Sequence, residues 1–157
     1  VLISSAFAGD GFISPRHYEE FVLPYERRLV ASVREHAPGV KVYTHTCGGI
    51  GDRLELMLET GTQGIDTLDP PPLGTVELED AVRVLKGRAF IKGNVDPVHT
   101  LLHGGEREVR DAVLHRLRVA GPGGGYILSS ACSVAPGVRP EHLELMTRVA
   151  VEHGVYG

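Results

Sequence analysis

At 157 residues, of which 42% are hydrophobic and 23% charged, the chain has enough apolar material to bury the core of one domain, which excludes a disordered tract. A formal net charge of −4, with acidic and basic residues interspersed, argues against nucleic acid as a partner. No apolar run approaches the roughly 20 residues that cross a bilayer, so the chain reads as cytoplasmic, with neither a membrane span nor a signal segment.

The elements alternate. VLISS (1–5) reads as a buried strand, followed by a glycine-bearing loop that contains Asp10. Ser14 and Pro15 open a helix in which Tyr18, Phe21, Tyr25, Leu29 and Val33 recur at helical spacing, with a kink expected at Pro24. VKVYTH (40–45) is the second strand, and the next helix runs through Leu54, Met57 and Leu58, with Asp52 as its cap and Gly61 at its end. GIDTLDP (64–70) gives a third strand, TVELEDAVRVLKG (75–87) a helix, and RAFIKGN (88–94) a fourth strand. Asp96 and Pro97 then open a turn, Asp96 as a cap, and Val109, Val113 and Leu117 carry a longer helix to the glycines at 121–125. YILSS (126–130) is the fifth strand, and Pro140 starts a last helix. Five strand-then-helix units in succession predict an α/β fold with a parallel sheet, since each parallel pairing needs a crossover. The glycines at 121–125 precede a strand and do not open a helix, so they are no phosphate cradle.

In such folds the loops after the strands build the active site. His45 and Cys47, at the end of the second strand, point to the same side because side chains alternate along an extended segment. Cys132 follows the fifth strand in the corresponding loop. Two cysteines cannot build a disulfide scaffold; in a reducing compartment they read as ligands, catalytic groups or core residues. If the sheet curls, one imidazole and two thiolates meet as a zinc-type donor set with a fourth position open, and the two sulfurs should lie roughly 3.5 to 4 Å apart. The alternative is that these are ordinary core residues. His17, His36, His115, His142 and His153 lie beside charges on helices and read as solvated, and His99 and His103 read as surface residues.

ISPRHYEEFVLPY (13–25), HTCGG (45–49), GNVDP (93–97) and YILSSACSVAPGVRPEHLELM (126–146), in this order, resemble the C-terminal half of the uroporphyrinogen decarboxylase superfamily. The resemblance implies five or so C-terminal βα units of an eight-stranded (β/α) TIM barrel, forming a single domain over 1–157 that lacks its N-terminal part, including the family's arginine-bearing segment. It also offers two chemistries, tetrapyrrole decarboxylation and corrinoid-dependent methyl transfer. Decarboxylases of the family carry Gly-His-Gly where this chain has Ala131, Cys132 and Ser133, and a Phe-Asp-Ser-Trp-Ala-Gly type segment where it has SSAFAG (4–9). The methylcobamide:thiol methyltransferase branch resembles it at His45, Cys47 and Cys132, which in that branch bind zinc. The expectation is therefore a zinc enzyme that takes a methyl group from a methyl-corrinoid, as free methylcobalamin or on a corrinoid protein, and gives it to a small thiol. Asp10 and Asp69 are candidates for orienting a ligand or substrate, and Asn94 for shaping the pocket. A uroporphyrinogen decarboxylase and a non-catalytic corrinoid-binding chain are the alternatives. Five strands cannot close a barrel of eight, so self-association through the open edges is also expected.

Overall fold

The structure, a computed structural model, describes residues 1–154. Five strands, β1 (Leu2–Ser4), β2 (Tyr43–Thr46), β3 (Gly64–Thr67), β4 (Phe90–Val95) and β5 (Tyr126–Ser130), form one sheet in chain order, and every neighbouring pair is parallel. Helices α1 (Pro15–Phe21) and α2 (Leu23–His36) follow β1. Each later strand is followed by one α-helix: α3 (Leu54–Glu59), α4 (Leu78–Leu85), α5 (Glu106–Ala120) and α6 (Pro140–His153). This is the α/β arrangement that the alternation predicts, part of a TIM-barrel-like wall whose strands all end at one rim. Among the described residues no helix is long and apolar enough to cross a membrane.

Tyr18, Leu54, Met57, Ile65, Leu85 and Ile91 are buried where the first helices cover the sheet. Val95, Leu101, Val109, Val113, Leu145 and Val149 form a second apolar group between β4 and the helices α5 and α6. Both lie on the helix-covered side, which leaves the inward face free for polar side chains. Register places Ser4, His45, Asp66, Lys92 and Ile127 in one row across the five strands.

Four local expectations are corrected. The long first helix does not kink at Pro24; it divides at Val22, which ends α1 and begins α2, and Pro24 sits in the first turn of α2, where its missing N–H costs no bond. Asp52 caps nothing: it lies in a tight 3-10 turn (Gly51–Arg53) and pairs with the Arg53 guanidinium. β1 is an edge strand with Leu2 45% exposed, because only β2 pairs with it. His142 is buried, not solvated, with its Nδ1 2.8 Å from the Leu101 carbonyl and Arg139 against its Nε2. Asp96 does cap, accepting from the N–H groups of Val98 and His99 at the start of a π-helical turn, Pro97–Leu102.

Candidate metal centre

β2 ends on Tyr-Thr-His-Thr, and the β-branched and aromatic residues hold it extended, so His45 faces inward while Thr44 and Thr46 are buried on the other face. The chain leaves the strand at Cys47. Gly48 then adopts φ +78°, a conformation that an L side chain rarely takes, and turns the backbone away beneath His45 and Cys47. Two carboxylates hold that turn. Asp69 accepts from the Gly48 N–H at 2.7 Å, and Asp10 from the Gly49 N–H at 3.1 Å, while Asp10 N–H donates to the Gly49 carbonyl. Asp10 is set in turn by the β1 loop. Buried Arg53 donates to the Ala8 carbonyl at 2.7 Å and lies over the Tyr18 ring, and the Tyr18 hydroxyl donates to buried Glu26, which also accepts from Ser5. Burial, together with the Glu26 carboxylate, keeps the Tyr18 hydroxyl protonated throughout the ordinary pH range.

Cys132 arrives from the far side of the sheet. Three strand spacings of about 4.8 Å separate β2 from β5, or about 14 Å on a flat sheet. The two sulfurs nonetheless lie 3.8 Å apart, which is what curling of the sheet achieves. His45 Nε2 is 3.3 Å from Cys47 Sγ, and the three donor atoms lie within 4.8 Å of one another. Among the described residues this is the one group of three or more such side chains that could hold a metal ion. Tetrahedral bonds of about 2.3 Å to sulfur and about 2.0 Å to nitrogen require edges of about 3.8 Å between sulfurs and about 3.5 Å from sulfur to nitrogen. The two edges at Cys47, 3.8 Å to the Cys132 sulfur and 3.3 Å to the His45 nitrogen, fit a metal of that size.

Protonation agrees with the donor chemistry. Burial, followed by the Cys132 contact and the charges of Asp69 and Asp66, pushes the Cys47 thiol up to about 11, so a cation is what would ionise it. His45 Nδ1 lies 3.1 Å from the Asp66 carboxylate and 2.7 Å from Thr67 Oγ1. A proton held on Nδ1 by that carboxylate leaves the Nε2 lone pair directed toward Cys47. Asp66 also binds Lys92 Nζ at 2.7 Å, which balances its charge. Burial raises the Asp69 carboxyl above the usual range, partly offset by the Gly48 N–H.

His45, Cys47 and Cys132 thus converge as expected, and Asp10 and Asp69 reach the Gly48–Gly49 turn without a hydrogen bond to any of the three. Asn94 stands apart: it is buried and donates to the Leu68 carbonyl. The sequence reading missed Asp66, Thr67 and Lys92. The one signal was a charged residue inside each of the short strands GIDT and FIKGNV, which by itself does not tell an inward polar row from a wet face.

The uroporphyrinogen decarboxylase (URO-D) family model matches residues 2–153. The chain is 36% identical over 133 residues to the uroporphyrinogen decarboxylase of Thioalkalivibrio sulfidiphilus, covering 83% of this chain and 36% of that protein. It is 30% identical over 144 residues to that of Hydrogenovibrio crunogenus, covering 90% and 38%. It therefore spans less than two fifths of the length of these curated relatives. Among solved structures, a methyltransferase from Methanosarcina mazei superposes with a TM-score of 0.81 over 96% of this chain and 41% of that one. At 21% identity that likeness is one of fold.

Proposed function

The chain belongs to the uroporphyrinogen decarboxylase family, and on that footing we propose that His45, Cys47 and Cys132 hold a zinc ion and serve methyl transfer from a methyl-corrinoid to a small thiol. The observation that carries this reading is the meeting of two sulfurs and an imidazole nitrogen at the edge lengths of a tetrahedral site, from loops 85 positions apart. Two thiolates and one imidazole suit zinc, and three protein ligands are the number found in catalytic sites.

A zinc ion there would supply a Lewis-acid position at which an incoming thiol is held as thiolate. The chain's own residues prepare that position. Asp66 fixes the His45 tautomer, Lys92 balances Asp66, and Asp10 and Asp69 hold the Gly48–Gly49 turn so that Cys47 keeps its place. In the net reaction the thiol sulfur gains the methyl group, the cobalt–carbon bond of the donor breaks with its electron pair left on cobalt, and the thiol proton passes to solvent. The donor is free methylcobalamin or the methylated form of a corrinoid protein.

A second reading rests on the curated relatives, which are named uroporphyrinogen decarboxylases. It asks the loop after β5 to act with Ala131, Cys132 and Ser133, where the resemblance of the decarboxylases calls for Gly-His-Gly. One experiment separates the two. Zinc-loaded protein is incubated with methylcobalamin and a panel of thiols, and separately with uroporphyrinogen. We expect thiol-dependent loss of the methylcobalamin spectrum, reduced at least 100-fold by Cys132→Ala with the circular dichroism spectrum unchanged. Release of carbon dioxide from uroporphyrinogen without thiol methylation would favour the second reading.

A further inference from the structure

Cys47 and Cys132 are the only cysteines of the chain. Both thiols are free and half-buried, in loops at the same rim of the sheet, so a small reagent can reach them. The sulfurs lie 3.8 Å apart, in contact but unbonded, and a disulfide of about 2.05 Å requires them to close by about 1.8 Å. The two sides are unequally fixed. Cys47 leads directly into the Gly48–Gly49 turn, which Asp69 and Asp10 hold. Cys132 lies in the irregular stretch 131–139 between β5 and α6, where Ser133 and Val134 are exposed, so the approach falls to Cys132.

The same two sulfurs are two of the three donors of the candidate metal centre. A sulfur in a disulfide offers no thiolate to a metal, and a sulfur coordinated as thiolate is not free to bond its neighbour, so the two states exclude each other. We propose that Cys47 and Cys132 are a reversible dithiol–disulfide pair, oxidised by a low-molecular-weight disulfide and protected by bound metal, so that the site takes up metal only while it is reduced. Formation of the bond rests on the sulfur geometry alone; the competition with zinc rests on the metal site of the methyl-transfer reading.

The step is thiol–disulfide exchange carried out twice. One cysteine thiolate attacks a sulfur of the small disulfide; a mixed disulfide forms as the small disulfide's own S–S bond breaks, and one small thiol leaves. The second cysteine then attacks the protein sulfur of the mixed disulfide. The Cys47–Cys132 bond forms and the second small thiol leaves. The two cysteine protons end on the two departing thiols, and two electrons pass from the cysteines to the small disulfide, which is reduced.

The test equilibrates the metal-free full chain at neutral pH in mixtures of reduced and oxidised glutathione, quenches with acid and reads the products by mass spectrometry. The expected product is a monomer lighter than the dithiol by two hydrogen atoms, with a Cys47–Cys132 linked peptide on digestion. With 85 positions between them, the two sulfurs meet only rarely in an unfolded chain, so the same measurement in urea isolates what the fold contributes. The effective concentration of one thiol at the other should be at least about tenfold higher in the folded chain. Added zinc should move the midpoint at least about tenfold toward a more oxidising glutathione ratio, and dithiothreitol should restore zinc uptake to the oxidised chain. Mixed glutathione disulfides or intermolecular dimers in place of the bridge, an effective concentration no higher than in urea, or a midpoint that bound zinc leaves unmoved would overturn the proposal. Zinc content measured on the same samples keeps the two readings apart. A chain that binds zinc but forms no bridge contradicts this inference alone, whereas one that forms the bridge but takes no zinc when reduced contradicts the metal reading alone.

Discussion

His45 and Asp66 are register partners on adjacent strands, and the Asp66 carboxylate lies 3.1 Å from His45 Nδ1. Parallel pairing puts both side chains on the inward face at the same height, so the contact follows from the register. A metal-binding imidazole whose second nitrogen donates to a carboxylate is both oriented and made more basic. Asp66→Asn keeps the shape but removes the charge that holds the proton. Zinc affinity should fall about 10- to 100-fold in a chelator competition, with little change in melting temperature. A variant that melts early but binds zinc as tightly as the parent would assign Asp66 a structural role only.

The turn beneath His45 and Cys47 depends on a close approach. A Cβ added at Gly49 would lie 2.5 Å from the Asp10 carboxyl carbon, whereas one added at Gly11 would meet nothing within 4 Å. Gly49→Ala should therefore displace Asp10 or the Cys47 loop, costing about 1 to 3 kcal/mol and weakening zinc binding. Gly11→Ala serves as the control and should leave both unchanged. Urea denaturation and zinc titration of the two variants check this.

Asp96 supplies a pH-dependent contribution away from the metal. Burial pushes its carboxyl up, but the His99 side chain and the N–H groups of His99 and Val98 outweigh that, leaving it below the usual carboxylate range. A carboxylate lowered by folding stabilises the fold above its unfolded value of about 3.9, and the benefit is lost as pH falls through the lower folded value. Asp96→Ala should destabilise by about 1 kcal/mol near neutral pH. The difference between parent and variant should close below about pH 4. Denaturation midpoints measured across pH 3 to 7 give the comparison.

The strand order and the pairing of His45 with Cys47 were legible because they rest on local rules. Apolar runs punctuated by glycine and proline mark βα units, and His45 and Cys47 share a side of an extended segment. Cys132 could be joined to them by its strand-end position only on the condition that the sheet curls, and the family resemblance supported that joining, since no spacing rule says how far a sheet curls. Asp66 and Lys92 escaped notice because a charged residue in a four- to six-residue strand reads the same whether it faces solvent or an inward polar row. His142 failed for the opposite reason. Its neighbours Glu141 and Glu144 mark a wet helix, but the ring itself turns onto the Leu101 carbonyl, a contact set by packing between distant segments.

The central claim is that His45, Cys47 and Cys132 bind one zinc ion, and X-ray absorption at the zinc edge on the purified chain, paired with elemental analysis, tests it most directly. The expected result is one zinc per chain, with two sulfur neighbours at about 2.3 Å and a nitrogen neighbour at about 2.0 Å, and loss of the metal in the Cys47→Ala, Cys132→Ala double variant. A chain that takes up no zinc, or a double variant that retains it with an unchanged spectrum, would contradict the account.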